Sequence, residues 1–202
     1  MAATPQEALE ILKAGNARFL ADESEARHSL AEVEATAQGS APWAVVLTCC
    51  DSRTPPELIF DQGLGSIFVI RIAGNVLDRD GLGTMEFACK VAGAKLIVVM
   101  GHTSCFAIKC ACEGMKLGQF TRLLSKFDSI IEEVEGNGVS RGEEFERLVA
   151  EKNVENVVGS AVRHSTTLRR LAGEGKLGIV GAMYSVKTGE AKFSELHCGD
   201  AV

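Results

Sequence analysis

Apolar and polar positions alternate along this chain between two regimes. Short, almost uninterrupted apolar runs at Trp43–Thr48, Ser66–Ile72, Lys95–Met100 and Gly178–Val186 are rich in β-branched residues. Runs of this kind predict strands covered on both faces. Between them the apolar positions recur at helical spacing. Thr4 stands ready as an N-cap, with Pro5 at the first helical position and Glu7 completing a capping box; Leu9, Leu12 and Phe19 then give an apolar face to a helix running to about Leu20. Further helices are predicted over Gly83–Val91, Phe120–Val134 and Glu143–Arg170, the last two parted by Gly136-Asn137-Gly138. The polar stretch Asp22–Gly39 reads as a connection. Lys187-Thr188-Gly189-Glu190 turns the last long strand into a short edge strand, Ala191–Leu196. Strands alternating with helices imply an α/β fold: a mainly parallel central β-sheet flanked by helices, with an amino-terminal helical extension.

With 202 residues the chain suits a single domain spanning 1–202, read as a helical extension over 1–40 and an α/β core over 41–202. Apolar residues at 46% and charged residues at 24% exclude extensive disorder. A formal charge of -6 leaves no basic stripe for a phosphate backbone, so nucleic acid is excluded as the expected partner. No apolar segment approaches the length of a membrane span, and the amino terminus lacks the basic-then-apolar signal pattern; a cytoplasmic protein is expected.

The seven cysteines are odd in number and five of them crowd into two places, unlike a disulfide framework. Cys49-Cys50-Asp51-Ser52-Arg53 and His102-Thr103-Ser104-Cys105 each follow an apolar run. In open α/β sheets, ligands gather beyond the carboxyl ends of the strands. Cys49, His102 and Cys105 therefore form a candidate zinc site of two thiolates and one imidazole, with a fourth position left for water. Zinc-bound water acidified toward neutrality would be a hydroxide source. Asp51 is placed to accept a hydrogen bond from that hydroxide, and Arg53 to keep Asp51 ionised. By the same reading Asp51 can instead swing onto the metal and close the site. Cys50, Cys89, Cys110 and Cys112 are expected in packing or supporting positions, His197-Cys198 as a tail feature, and His28 and His164 outside any metal site.

Cys49-x-Asp51-x-Arg53 followed by His102-x-x-Cys105 resembles the β-class carbonic anhydrases. Pro55-Pro56-Glu57, Arg71-Ile72-Ala73-Gly74-Asn75, Gly101-His102-Thr103 and Gly181-Ala182-Met183-Tyr184 are similar in order and spacing, so the resemblance covers roughly Trp43 to Leu196. It implies a Zn2+ enzyme that hydrates carbon dioxide reversibly to bicarbonate, assembled as a homodimer or homotetramer. Cys49, His102 and Cys105 would hold the metal, Asp51 and Arg53 would form the catalytic dyad, and Phe68 and Phe87 would wall the substrate cleft near a subunit interface. Family members carry glycine where this chain has Phe106, and glutamine where it has Ser40; both positions belong to the expected cleft. The tryptophan of an inhibitory bicarbonate pocket found in some members is replaced by Val46. The altered cleft keeps two further readings open: hydrolysis of carbonyl sulfide or carbon disulfide at the same zinc, and a zinc-binding member with little turnover.

Overall fold

The computed structural model describes residues 2–26 and 29–199; His28 lies outside the described residues. A six-stranded sheet forms the centre, built from β1 (Ala44–Thr48), β2 (Ile67–Arg71), β3 (Leu96–His102), β4 (Gly178–Tyr184), β5 (Ala191–Phe193) and β6 (His197–Cys198). Its order is β2-β1-β3-β4-β5, with β6 also paired to β4. The first four strands run parallel, and β5 and β6 return antiparallel to β4.

Strict alternation of side chains along β1 and β3 separates two cores. Val45, Leu47, Ile97 and Val99 face α4 (Arg79–Glu86), α8 (Glu143–His164) and α9 (Thr166–Gly173), which contribute Met85, Val154, Val158 and Leu168. Ala44, Val46, Val98 and Met100 point the other way, onto α1 (Pro5–Leu20) and α3 (Pro56–Ile59) through Leu9, Leu12 and Ile59. Both faces are thus covered, which is why these strands read as continuous apolar runs. A third cluster, including Phe127, Ile131 and Phe145, roofs the carboxyl end of the sheet, where Cys49 and Cys105 also lie.

The amino-terminal helix starts at Pro5 as expected, with the Thr4 hydroxyl accepting from the Glu7 N–H at 3.2 Å, but the expected capping box is left half formed: the Glu7 carboxylate accepts from the Ala3 N–H at 2.8 Å instead of from Thr4. It packs on its own sheet. Asn16, 4% exposed, donates to the carbonyls of Ile59 and Gly189 and accepts from the Ala191 N–H. Arg18 pairs at 2.5 Å with Asp61, whose side chain is fully buried and also accepts from the N–H groups of Glu25 and Ala26.

Several predicted boundaries move. The polar connection contains a short helix, α2 (Leu30–Thr36), opened by a capping box of Ser29 and Glu32. Gly83–Val91 becomes α4, beginning at Arg79, followed by a π-helical turn over Phe87–Val91. Phe120–Val134 resolves into α6 (Gly118–Leu124), a 3-10 turn, and α7 (Asp128–Gly136). The long helix expected over Glu143–Arg170 breaks at Ser165, whose extended backbone and side chain cap α9 by accepting from the Leu168 N–H at 3.0 Å. Strand β3 continues two residues beyond Met100, and β5 is shorter than expected. His197 and Cys198, expected as a tail feature, pair with Ile179 and Gly178. Among the described residues no helix is long and apolar enough to cross a membrane.

Candidate metal centre

Parallel pairing of β1 with β3 puts Thr48 beside Met100, so the two strands deliver Cys49 and His102 to the same end of the sheet. His102 is the last residue of β3 and sits in register with Tyr184. The chain then turns through Ser104, held at φ 54, and Cys105 becomes the N-cap of α5 (Phe106–Cys112). That turn folds Cys105 back toward Cys49. The ligating atoms of Cys49, His102 and Cys105 all lie within 4.8 Å of one another, and all three residues are buried.

Donor chemistry and spacing both fit a tetrahedral cation. Two sulfurs each about 2.3 Å from a tetrahedral centre stand about 3.8 Å apart, and here Cys49 Sγ and Cys105 Sγ are separated by 3.9 Å. His102 Nδ1 meets the Thr103 carbonyl oxygen at 2.9 Å. A carbonyl only accepts, so Nδ1 carries the proton and Nε2 keeps its lone pair. Nε2 is buried and has no hydrogen-bond partner. A buried acceptor without a partner is costly unless something coordinates it. Hydrogen bonding from the Cys105 thiol lowers Cys49 to about 3 against the opposing effect of burial, and the N–H groups of Asp51 and Gly74 add to that pull. The contact with Cys49, reinforced by burial, raises Cys105. Both sulfurs bind a divalent cation as thiolates, so binding releases the protons they carry.

Asp51 and Arg53 are brought together at the mouth of this cluster. Arg53 donates from Nε to Asp51 Oδ1 at 2.9 Å, from a terminal nitrogen to Oδ2 at 2.7 Å, and from its backbone N–H to Oδ1 at 2.9 Å. The guanidinium holds the Asp51 carboxyl down at about 2. It also reaches the Ser104 carbonyl at 3.2 Å, bridging the two ligand-bearing loops. Asp51 stands outside the group of three converging donors.

Sequence reasoning passed over three supports. Arg71, at the end of β2, donates to the carbonyls of both Cys49 and Asp51. Thr54 donates to the same two carbonyls, at 3.3 and 2.9 Å. The Gly74 N–H donates to Cys49 Sγ at 3.3 Å. Gly74 has φ 66, and a Cβ there would come within 2.7 Å of Phe127, so glycine alone lets this backbone approach the sulfur. Arg71 and Gly74 sit in the quoted Arg71–Asn75 run, which was the available signal.

The remaining expected cleft residues do not join the cluster within one chain. Phe68 is level with Val45 and so stands about 13 Å along the sheet from Cys49. Its ring lies 5.8 Å from that of Phe87. Ser40 rests against Gly65, toward the other end of the sheet. Phe106 follows Cys105 directly, with 69% of its surface exposed. Of the other cysteines, Cys50 is exposed, whereas Cys89, Cys110 and Cys112 are buried. Burial pushes Cys89 up to about 12 and Cys112 to about 11, which keeps both as inert thiols. A cleft of about 1120 Å³ between α4, α6 and α8 contains none of the converging donors.

Comparison with known proteins agrees with this geometry. Residues 44–191 match the family model for carbonic anhydrase. The chain is 36% identical over 208 residues to carbonic anhydrase 2 of Mycobacterium tuberculosis, covering 97% of this chain and 95% of that protein. It is 36% identical over 206 residues to a carbonic anhydrase of Mycolicibacterium smegmatis, covering 97% and 96%. A β-carbonic anhydrase of Aspergillus fumigatus superposes with a TM-score of 0.75 at 24% identity, covering 98% of this chain and 91% of that one. A structure of tetrameric β-carbonic anhydrases from Sordaria macrospora gives 0.72 at 23% identity, covering 93% and 96%. Likeness in sequence and in three dimensions both span nearly the whole molecule, and the chain belongs to the β-class carbonic anhydrase family.

Proposed function

We propose that this chain interconverts carbon dioxide and bicarbonate with zinc held by Cys49, His102 and Cys105. The observation that carries the assignment of ligands is the convergence of three buried donors, one of them the unpartnered Nε2 of His102. When bound, zinc supplies the Lewis acidity that makes a nucleophile of water near neutral pH. Asp51 acts as an obligate acceptor: held as a carboxylate, it accepts an O–H hydrogen bond and cannot donate one. Arg53 occupies Oδ1 twice and Oδ2 once, so Oδ2 retains more capacity for a water or the hydroxyl of bicarbonate. The same contacts tie Asp51 to Arg53, and Asp51 stands outside the three converging donors that would hold the metal. Arg71 and Gly74 hold the Cys49 loop in place from the other side.

Phe68 and Phe87 are assigned to a cleft completed by a second subunit, with Phe106 and Ser40 at its margins. Support comes from β2, an edge strand, beside which Phe87 and Val91 are 51% and 73% exposed. A homodimer across this edge, or a tetramer of two such dimers, covers these groups. A reducing, cytoplasmic setting suits seven cysteines that are all free thiols.

Stopped-flow hydration of carbon dioxide, run beside zinc analysis of the purified protein, tests the assignment. One zinc per chain and rapid hydration are expected, and Cys49→Ser should lose zinc together with at least about a hundredfold in rate. Hydration that survives intact in the zinc-free variant overturns the ligand set. Release of hydrogen sulfide from carbonyl sulfide without carbon dioxide hydration overturns the substrate.

A further inference from the structure

A second cavity, of about 370 Å³, reaches the ligand cluster from the side of α8. His102 and Cys105 are among its walls, as are Glu143, Glu144 and Glu146 from the first turn of that helix. Asp51 and Arg53 do not line it. The lining sets three carboxylates against one guanidinium, that of Arg147. Arg147 is already committed to Glu144 and Glu151. Glu143 and Glu146 form no ion pair among the described residues, so their charge is free to act on the cavity. One of its walls is the fully buried imidazole of His102, whose Nε2 has no partner.

We propose that this acid-lined cavity is the route by which the divalent cation reaches His102, Cys105 and Cys49, separate from the side on which Asp51 and Arg53 meet substrate. The inference rests on the metal-site reading above. An ion carrying six waters at about 30 Å³ each needs roughly 180 Å³, which the cavity accommodates. Its carboxylates concentrate a dication and repel an anion, so the passage favours zinc and disfavours bicarbonate. Acidic residues in a first turn also stabilise the helix that bears them. The test must therefore separate a kinetic role from a structural one.

Protein stripped of metal by chelation is mixed with Zn2+ at low ionic strength, and uptake is followed with a zinc-responsive chromophore. Glu143→Gln combined with Glu146→Gln should slow uptake about fivefold, without changing the final content of one zinc per chain, and added salt should shrink the difference. Glu34→Gln combined with Glu195→Gln removes the same charge from exposed positions elsewhere and should leave the rate unaltered. Equal rates in parent and pocket variant overturn the route. Equal slowing in the remote control overturns it too, by assigning the effect to net charge. A fall in thermal midpoint without any change in uptake assigns these acids to the stability of α8 alone and likewise overturns it. A parent protein that takes up no zinc overturns the metal-site reading itself, and the route with it.

Discussion

One guanidinium joins two segments that sequence holds far apart. Arg53 clamps Asp51 from its own turn and reaches across to the Ser104 carbonyl beside Cys105. A lysine at this position keeps the charge but cannot make a planar two-nitrogen contact. Arg53→Lys should therefore retain a full complement of zinc while losing about ten- to a hundredfold in the rate of carbon dioxide hydration, measured by stopped flow and metal analysis on the same sample. Loss of zinc in this variant would show that the clamp builds the metal site instead of tuning it. The convergence of Cys49, His102 and Cys105 was legible in the sequence because Cys49 and His102 close apolar runs, Cys105 follows His102 by three residues, and the carboxyl ends of parallel strands lie together. The pairing of Asp51 with Arg53 was legible from their offset. The roles of Arg71 and Gly74 were not, although both lie in a quoted run, since one acts on the backbone carbonyls of the Cys49 loop and the other through its own N–H on the Cys49 sulfur. Ser165 was missed for a similar reason: a serine within a helical pattern carries no break signal until its hydroxyl finds the Leu168 N–H.

Among the elements, α1 depends most on a single buried charge. Burial alone would raise the Asp61 carboxyl; the Ala26 N–H, the Arg18 guanidinium and the Glu25 N–H together outweigh it and bring the group below its ordinary value. Asp61→Asn should cost about 1–3 kcal/mol at pH 7, read from denaturant unfolding. The sign follows from the lowered value in the folded state. Stability contributed by the carboxylate is complete above the ordinary carboxyl range and is lost as pH falls through the lower folded value. The gap between parent and variant should thus close below about pH 4; a gap that persists unchanged at pH 2 would contradict the ion-pair account. Patterning located α1 and its cap correctly because both signals are local. It divided the region after Leu117 less well: α6 and α7 are separated only by a 3-10 turn, with neither glycine nor proline to mark the join.

For the molecule as a whole, the parallel direction of the first four strands followed from alternating helices and strands, whereas their spatial order and the exposed flank of β2 did not. Exposure of Phe87 and Val91 follows from β2 standing at the edge of the sheet, a position that sequence pattern cannot rank. Under the dimer proposed across this edge, Phe87→Lys should yield monomers in analytical ultracentrifugation, by placing a charge within the proposed apolar contact. An unchanged sedimentation coefficient would place the subunit interface elsewhere.

Asn16 binds the carbonyls of Ile59 and Gly189 and the N–H of Ala191 with one small amide. Opening of the first helix must therefore release the β4–β5 hairpin as well, and the backbone amides of both should exchange with deuterium on a common timescale. Beginning and end of the polypeptide then unfold as one cooperative unit, and a cut that frees the first helix would loosen a strand more than 170 positions downstream.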